Sequence, residues 1–463
     1  MFKIQRRGVA RLAAAGLATG LLAAGAISGA GAAFADGGAT AVLGGLQADK
    51  SDGVVIHEGG KNKPVNAGLF TMDVGGGTIQ TYCIDIHNPT QKHAKYQEVP
   101  WDSSSLHNNP DAGKINWILQ HSYPQVADLS ALAKAAGSGP LTEKTAAAGT
   151  QVAIWRFSDK ANVDANDPAA EKLAEYLGKT ATDTPEPKAT LTLDPPAVSG
   201  KSGDKLGPVT VHTTSTTPVQ IVPASDIPAG VKIVNKSGKA VTSASNGDQL
   251  FFAIPAGAAD GTTSVTATAV TQVPVGRAFT GVDSKSQVQI LAGSSATTAT
   301  ATATGTWAKK GPIPAVSATV NCAKNGVDVT ASNKGDEAFT FELAGKKFSI
   351  EAGKSKTITV PVKEDQKYEI TISGPNGFTK TFKGVLDCKT TGTPTPAPST
   401  PTTQPSPASA GSTTGTTGGD LAQTGGSSAT PMIAGIAVAL VAVGGGAVFF
   451  LRRKKSAATP AGQ

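Results

Sequence analysis

The sequence predicts a multi-domain, mainly β protein, and three observations carry that prediction. From about residue 188 the chain runs in short Val-, Thr- and Ile-rich stretches that alternate with polar residues and break at Gly, Pro, Asp and Asn, the pattern of all-β sandwiches. Ahead of this, one segment concentrates the Trp, Tyr and His residues and mixes strand with helix periodicity. Each end of the chain carries an uncharged apolar run flanked by basic residues. The expected layout is an N-terminal α+β domain (a β-barrel or sandwich plus a helical part), two all-β immunoglobulin-like sandwiches, a disordered stalk and a C-terminal transmembrane helix.

In chain order, Lys3, Arg6, Arg7 and Arg11 precede an apolar stretch and then Ala33-Phe34-Ala35. This is the order of a secretory signal peptide, expected over 1–35. Residues 36–183 form the first domain and hold three of the four Trp, four of the five Tyr and five of the six His. Phe70, Met72 and Val74 alternate with polar residues before Gly75–Gly77, and Tyr82, Ile84 and Ile86 alternate after it, predicting a hairpin. Apolar spacing predicts helices over 111–119 and 141–157. Asp167-Pro168 caps a third that ends at Gly178. Asp183–Pro187 reads as a linker.

The two sandwiches are expected over 188–308 and 313–389, with Ser286–Ala292 as the last strand of the first. That strand has no Asn or Asp, so no Lys–Asn isopeptide bond is expected there. Residues 390–420 are Thr, Pro, Ser and Gly, too poor in apolar side chains to form a core. Extended, they would reach on the order of 90 Å. Pro431–Leu451 is long enough to span a bilayer. The Arg452–Lys455 cluster opens a basic tail over 452–463, expected to be cytoplasmic.

The formal charge of +7 comes from the ends. Of 41 Lys and Arg, eight lie in the signal and tail, which leaves 33 against 34 acidic residues in between. A near-neutral exported part argues against a nucleic-acid partner. The three cysteines leave one unpaired. Cys322 and Cys388 lie near the ends of the second sandwich and are expected to form a disulfide. That leaves Cys83 alone in the first domain.

Two motifs surround that cysteine's chemistry: Tyr82-Cys83-Ile84-Asp85 and Thr150-Gln151-Val152-Ala153-Ile154-Trp155. Together they resemble the thioester domains of Gram-positive surface adhesins, with Leu119-Gln120 at the place of a third family feature. The resemblance covers about residues 39–177. It implies a β-barrel beside a helical part, with a thioester between Cys83 and Gln151. It also implies attack on that bond by an amine, such as a lysine, of an unidentified protein or cell surface.

The chemistry is sound on its own terms. A thiolate attacks the Gln side-chain carbon and expels ammonia, provided the fold holds the groups in contact and stabilises the oxyanion. Helical spacing puts Trp155 on the face of Gln151, where it would cover the bond. Strand alternation puts Asp85 on the side of Cys83, where it would orient a backbone group or a proton.

Leu421-Ala422-Gln423-Thr424-Gly425, the apolar span and the basic tail resemble a sortase sorting signal. Ala422 replaces the usual proline, as in high-GC actinobacteria. The resemblance implies sortase and peptidoglycan as partners. It also implies a membrane-spanning precursor that ends as a secreted protein covalently anchored to the wall. No cofactor or metal is expected, because Cys83, His87 and His93 match no zinc spacing. Acyl transfer would occur once, without turnover, so the chain is not expected to be an enzyme. Two alternatives stand beside this reading. One is a non-reactive wall protein with Cys83 as a core thiol. The other is a cysteine hydrolase with a histidine base.

Overall fold

A computed structural model describes residues 37–389. The signal peptide, the stalk, the Leu421–Gly425 motif, the apolar span 431–451 and the basic tail lie outside the described residues. Among the described residues, no helix is long and apolar enough to cross a membrane.

Four strands open the fold: β1 (Gly38–Glu58), β2 (Lys61–Asp73), β3 (Thr78–Cys83) and β4 (Lys95–Val99). β1 turns into β2 through Gly59-Gly60, both at positive φ, the conformation a two-residue hairpin turn requires. β2 pairs antiparallel with β3, as the alternation on either side of Gly75–Gly77 predicts. The free edge of β3 is taken by Gln289–Ser294, with Cys83 opposite Gln289. That strand pairs with Ala278–Gly281, which pairs with β4. β4 returns to Thr40–Val42 of β1. Six strands thus close a barrel, leaving its sheet without an exposed edge.

This corrects the sequence reading at one strand. The region 286–292 was expected to close the first sandwich, yet Val288, Ile290, Leu291 and Ala292 are buried in the barrel core. Boundaries at 36–183 and 188–308 therefore do not follow the packing: the barrel resumes at about Val273, and the sandwich is inserted into it. Alternation shows that a segment is a strand but carries no label for the sheet it joins.

The helical side comprises α1 (Ala112–Gln120), α2 (Leu129–Ala136), α3 (Glu143–Ser158) and α4 (Pro168–Thr180). Thr142 and Thr145 form a capping box at the start of α3, and Asp167 caps α4 with Pro168 in the first turn. Every residue of α3 from Thr145 to Trp155 is buried, because the helix is enclosed between the barrel and α4. Gly149 makes this possible. A Cβ there would sit 2.5 Å from the Ala170 carbonyl oxygen of α4.

The inserted sandwich is built on the pairing of Gly261–Thr271 with Thr297–Ala308. In the latter strand Ala299, Ala301 and Ala303 face inward while threonines face out. Its second sheet contributes Leu193, Val209, Val211 and Phe252 to the core. The expected linker is packed rather than free. Glu186 accepts from the Trp101 N–H (3.0 Å) and pairs with Arg277 (2.5 Å). Arg277 also pairs with Glu98 at 2.8 Å, both almost fully buried, and Glu98 accepts from the Ala39 and Thr190 N–H groups. One buried carboxylate thereby ties β1, β4 and the entry to the sandwich together. The second sandwich packs Pro314–Asn321, Gly326–Asn333 and Ser355–Pro361 against a four-stranded sheet. It carries the Cys322–Cys388 disulfide, Cα–Cα 5.4 Å, which stabilises it by roughly 4 kcal/mol in the chain-entropy model.

Candidate functional site

The end of β3 and the middle of α3 meet at Cys83 and Gln151, both fully buried. The Cys83 N–H donates to Gln151 Oε1 at 2.9 Å, and Gln151 Nε2 donates to the Cys83 carbonyl at 2.8 Å. The side-chain amide is therefore held by two hydrogen bonds to the backbone of the residue that carries the sulfur. Its oxygen already faces a backbone N–H of the kind that stabilises a developing oxyanion.

The sulfur has two donors of its own. The Asp85 N–H and the Trp155 indole Nε1–H each lie 3.3 Å from Cys83 Sγ. Trp155, 1 % exposed, thus does more than cover the pair, because its N–H would steady a thiolate. Asp85 reaches the sulfur through its backbone, while its fully buried carboxylate accepts from Asn88 Nδ2 at 2.6 Å. Burial, with the neighbouring charge of Asp159 second, holds the Asp85 carboxyl well above the usual carboxylate range. Burial also pushes Asp159 up to about 7. The Cys83 thiol is raised by burial first and by the Asp159 and Asp85 charges second. Cys83 therefore rests as a thiol, and of the two neighbouring carboxyls Asp159, raised only to about 7, is the one ionised enough near neutrality to take its proton.

Asp159 escaped the sequence reading, although 151, 155 and 159 share one helical face. Its Oδ1 accepts from the Ile86 N–H (2.9 Å), fixing the end of the Cys83 strand to α3. Gln287 and Gln289 also brace that strand: Gln287 Nε2 donates to the Asp85 carbonyl (2.8 Å) and Thr81 Oγ1 to Gln289 Oε1 (2.9 Å). No local signal points to two glutamines 200 residues away. Leu119 is buried in the same core, but the exposed Gln120 bonds Asn116 and is not brought to Cys83.

Among the described residues, no histidine hydrogen-bonds Cys83. His57 bonds Asn62 and Asp164, His121 bonds the Trp117 carbonyl, and His87 lies near Glu58.

Residues 80–183 match the thioester domain family. The matched segment contains all but the first two residues of β3, the helices and both motifs, but not β1, β2 or the strands that return at 278–294. Residues 314–385 match the C-terminal domain of bacterial phospholipase C. No curated protein matches the chain. Among solved structures, the Bacillus anthracis TIE protein is 14% identical, with 76% of this chain and 81% of that chain covered at a TM-score of 0.27. The thioester domain of the Enterococcus faecium TIE86 protein is 17% identical, covering 58% and 97%, at a TM-score of 0.26. Superposition this loose carries no functional weight, which rests on the thioester domain motifs and their geometry.

Proposed function

We propose that this chain is a cell-wall-anchored adhesin that joins Cys83 to Gln151 in a thioester and uses it once to bond covalently to an amine on a target. The reading rests on one observation: the Gln151 amide is doubly hydrogen-bonded to the Cys83 backbone while two N–H groups point at the sulfur. The Asp159 carboxylate takes the thiol proton. Sγ then adds to the Gln151 side-chain carbon, with the Cys83 N–H bearing the oxyanion. The carboxyl passes that proton to the amide nitrogen, the C–N bond breaks, ammonia leaves, and the thioester remains. An amine later attacks the same carbon, the C–S bond breaks, and an amide and the Cys83 thiol result. No turnover follows, so the chain acts as a reagent rather than an enzyme.

Burial protects such a bond from water, and an amine reaches it only when its cover moves. A secreted life fits the signal-like N-terminus. Sortase would cut between Thr424 and Gly425 and pass the Thr424 carboxyl to a peptidoglycan amine. The test is the intact mass of the exported chain. A mass short by one ammonia, restored to full value in Cys83→Ala and discharged by methylamine at Gln151, is expected. A full encoded mass with a titratable thiol in folded protein would show the non-reactive wall protein instead. Thr424→Ala protein should fail to become wall-linked. Wall linkage equal to wild type would remove the anchoring part of the proposal.

A further inference from the structure

The second sandwich carries a carboxylate cluster that the thioester chemistry does not use. Glu364 and Asp365 lie in the loop before Lys367–Ser373, and Asp387 follows Thr379–Val385, one residue before Cys388. The two segments are zipped together by Asp365 N–H to the Leu386 carbonyl (2.8 Å) and Leu386 N–H to the Gln366 carbonyl (3.1 Å). One oxygen from each of the three carboxylates lies within 4.8 Å of the others. Glu364 Oε1 is occupied, accepting from the Cys388 and Lys389 N–H groups at 2.6 and 2.8 Å. Glu364 Oε2, Asp365 Oδ1 and both oxygens of Asp387 are shielded from solvent and accept no hydrogen bond.

Asp387 is the observation that points to a ligand. It is 3% exposed, with neither oxygen partnered. It also lines a cavity of about 40 Å³ between sandwich and barrel, with Ser103 and Thr280 on the barrel side. None of the three acids takes part in an ion pair among the described residues. Burial, followed by the charges of Asp85, Glu364 and Asp365, holds the Asp387 carboxyl well above its usual range. Unpaired buried carboxylates are costly, and such groups are ordinarily paired or bound to a metal.

We propose that Glu364, Asp365 and Asp387 bind a calcium ion at the joint between the disulfide-closed sandwich and the barrel. The donors are all hard carboxylate oxygens, which select calcium or magnesium over softer metals. Calcium accepts an irregular set of six to eight oxygens at about 2.3–2.6 Å, whereas magnesium demands near-ideal octahedral geometry and gives up its waters reluctantly, so a buried cluster of carboxylates favours calcium. The cavity has room for a water molecule to complete the coordination. The sequence reading expected no metal, and only the fold brings 364–365 and 387 together. This inference does not depend on the thioester.

The test compares thermal unfolding of the full chain in detergent with EDTA and with millimolar calcium, at matched ionic strength. The expected result is a calcium-dependent rise of roughly 5 °C in the midpoint and about one calcium per chain by equilibrium dialysis, in line with the affinity of extracellular sites. Asp387→Asn should abolish the rise and, in EDTA, unfold no earlier than wild type, since it removes a buried carboxyl that has no partner. Should that variant fail to fold, Glu364→Gln must show the same loss of calcium response. No rise and no bound calcium in the unmutated chain would overturn the proposal. So would an equal rise with magnesium, or a rise that survives both substitutions.

Discussion

At the scale of the residue, the site depends on donors aimed at one sulfur. Trp155→Phe keeps most of the packing and removes the indole N–H. A hydrogen bond to a charged group contributes roughly 1.5–3 kcal/mol, so thioester formation should slow by about 10- to 100-fold with little change in the unfolding midpoint. The ammonia-loss fraction followed by mass after refolding checks this, and an unchanged rate would reduce Trp155 to a core residue. Asp159 carries a pH signature. Its carboxyl titrates near 3.8 when unperturbed and about 7 in the fold, so between those values the folded state binds more protons than the unfolded one. Its contribution to stability is therefore greatest at low pH and falls as pH rises through 7. Asp159→Asn should remove roughly 1–3 kcal/mol of that decline, the lower end reflecting its partial exposure. Denaturant midpoints at pH 5 and pH 8 measure it. An unaltered decline would mean that other carboxyls carry it. Cys83, Gln151, Asp85 and Trp155 stand out in the sequence because their motifs are local. Asp159 lacked only attention to the next turn of the same helix.

Among the elements, α3 sets the geometry, because it must lie close enough to β3 for Gln151 to reach the Cys83 backbone. Gly149→Ala opposes two effects. Alanine favours a helix interior by about 1 kcal/mol, but its Cβ would stand 2.5 Å from the Ala170 carbonyl. The clash wins. We expect a net loss of roughly 1–3 kcal/mol and a lower thioester fraction, read by denaturation and mass on the same sample. A stabilised variant would show that α4 shifts freely. Helices α1, α3 and α4 were legible because apolar spacing and capping residues mark them. The eight-residue α2, capped by Asp128, is too short for its spacing to stand out. The hairpin of β2 and β3 was legible from alternation across glycines. The return strand at 289–294 was legible as a strand and misassigned in partner, since pairing across some 200 residues leaves no local trace; the four-residue strand at 278–281 was not singled out.

Over the whole molecule, the barrel is discontinuous in sequence. A fragment of residues 36–183 contains both motifs around Cys83 and Gln151 but lacks the two strands that join β3 to β4. It should neither unfold cooperatively nor lose ammonia, while a fragment of residues 36–308 should do both. A cooperatively folded, ammonia-deficient 36–183 fragment would show that the return strands are dispensable. The Glu98–Arg277 pair belongs to the same scale, because it joins the interrupted parts of the barrel where the sandwich enters and leaves.

The late return of the barrel also orders the cysteines in time. Synthesis from the N-terminus delivers Cys83, then the strand at 289–294, then Cys322 and finally Cys388. Thr81 must wait for Gln289, 208 residues later, before the Cys83 strand gains its neighbour. That neighbour has nevertheless emerged before either of the other thiols. The barrel can therefore close over Cys83 while it is the one cysteine that has emerged. By the time Cys322 appears, the single remaining match is Cys388. Chain order thus favours the Cys322–Cys388 pairing and leaves Cys83 free and buried.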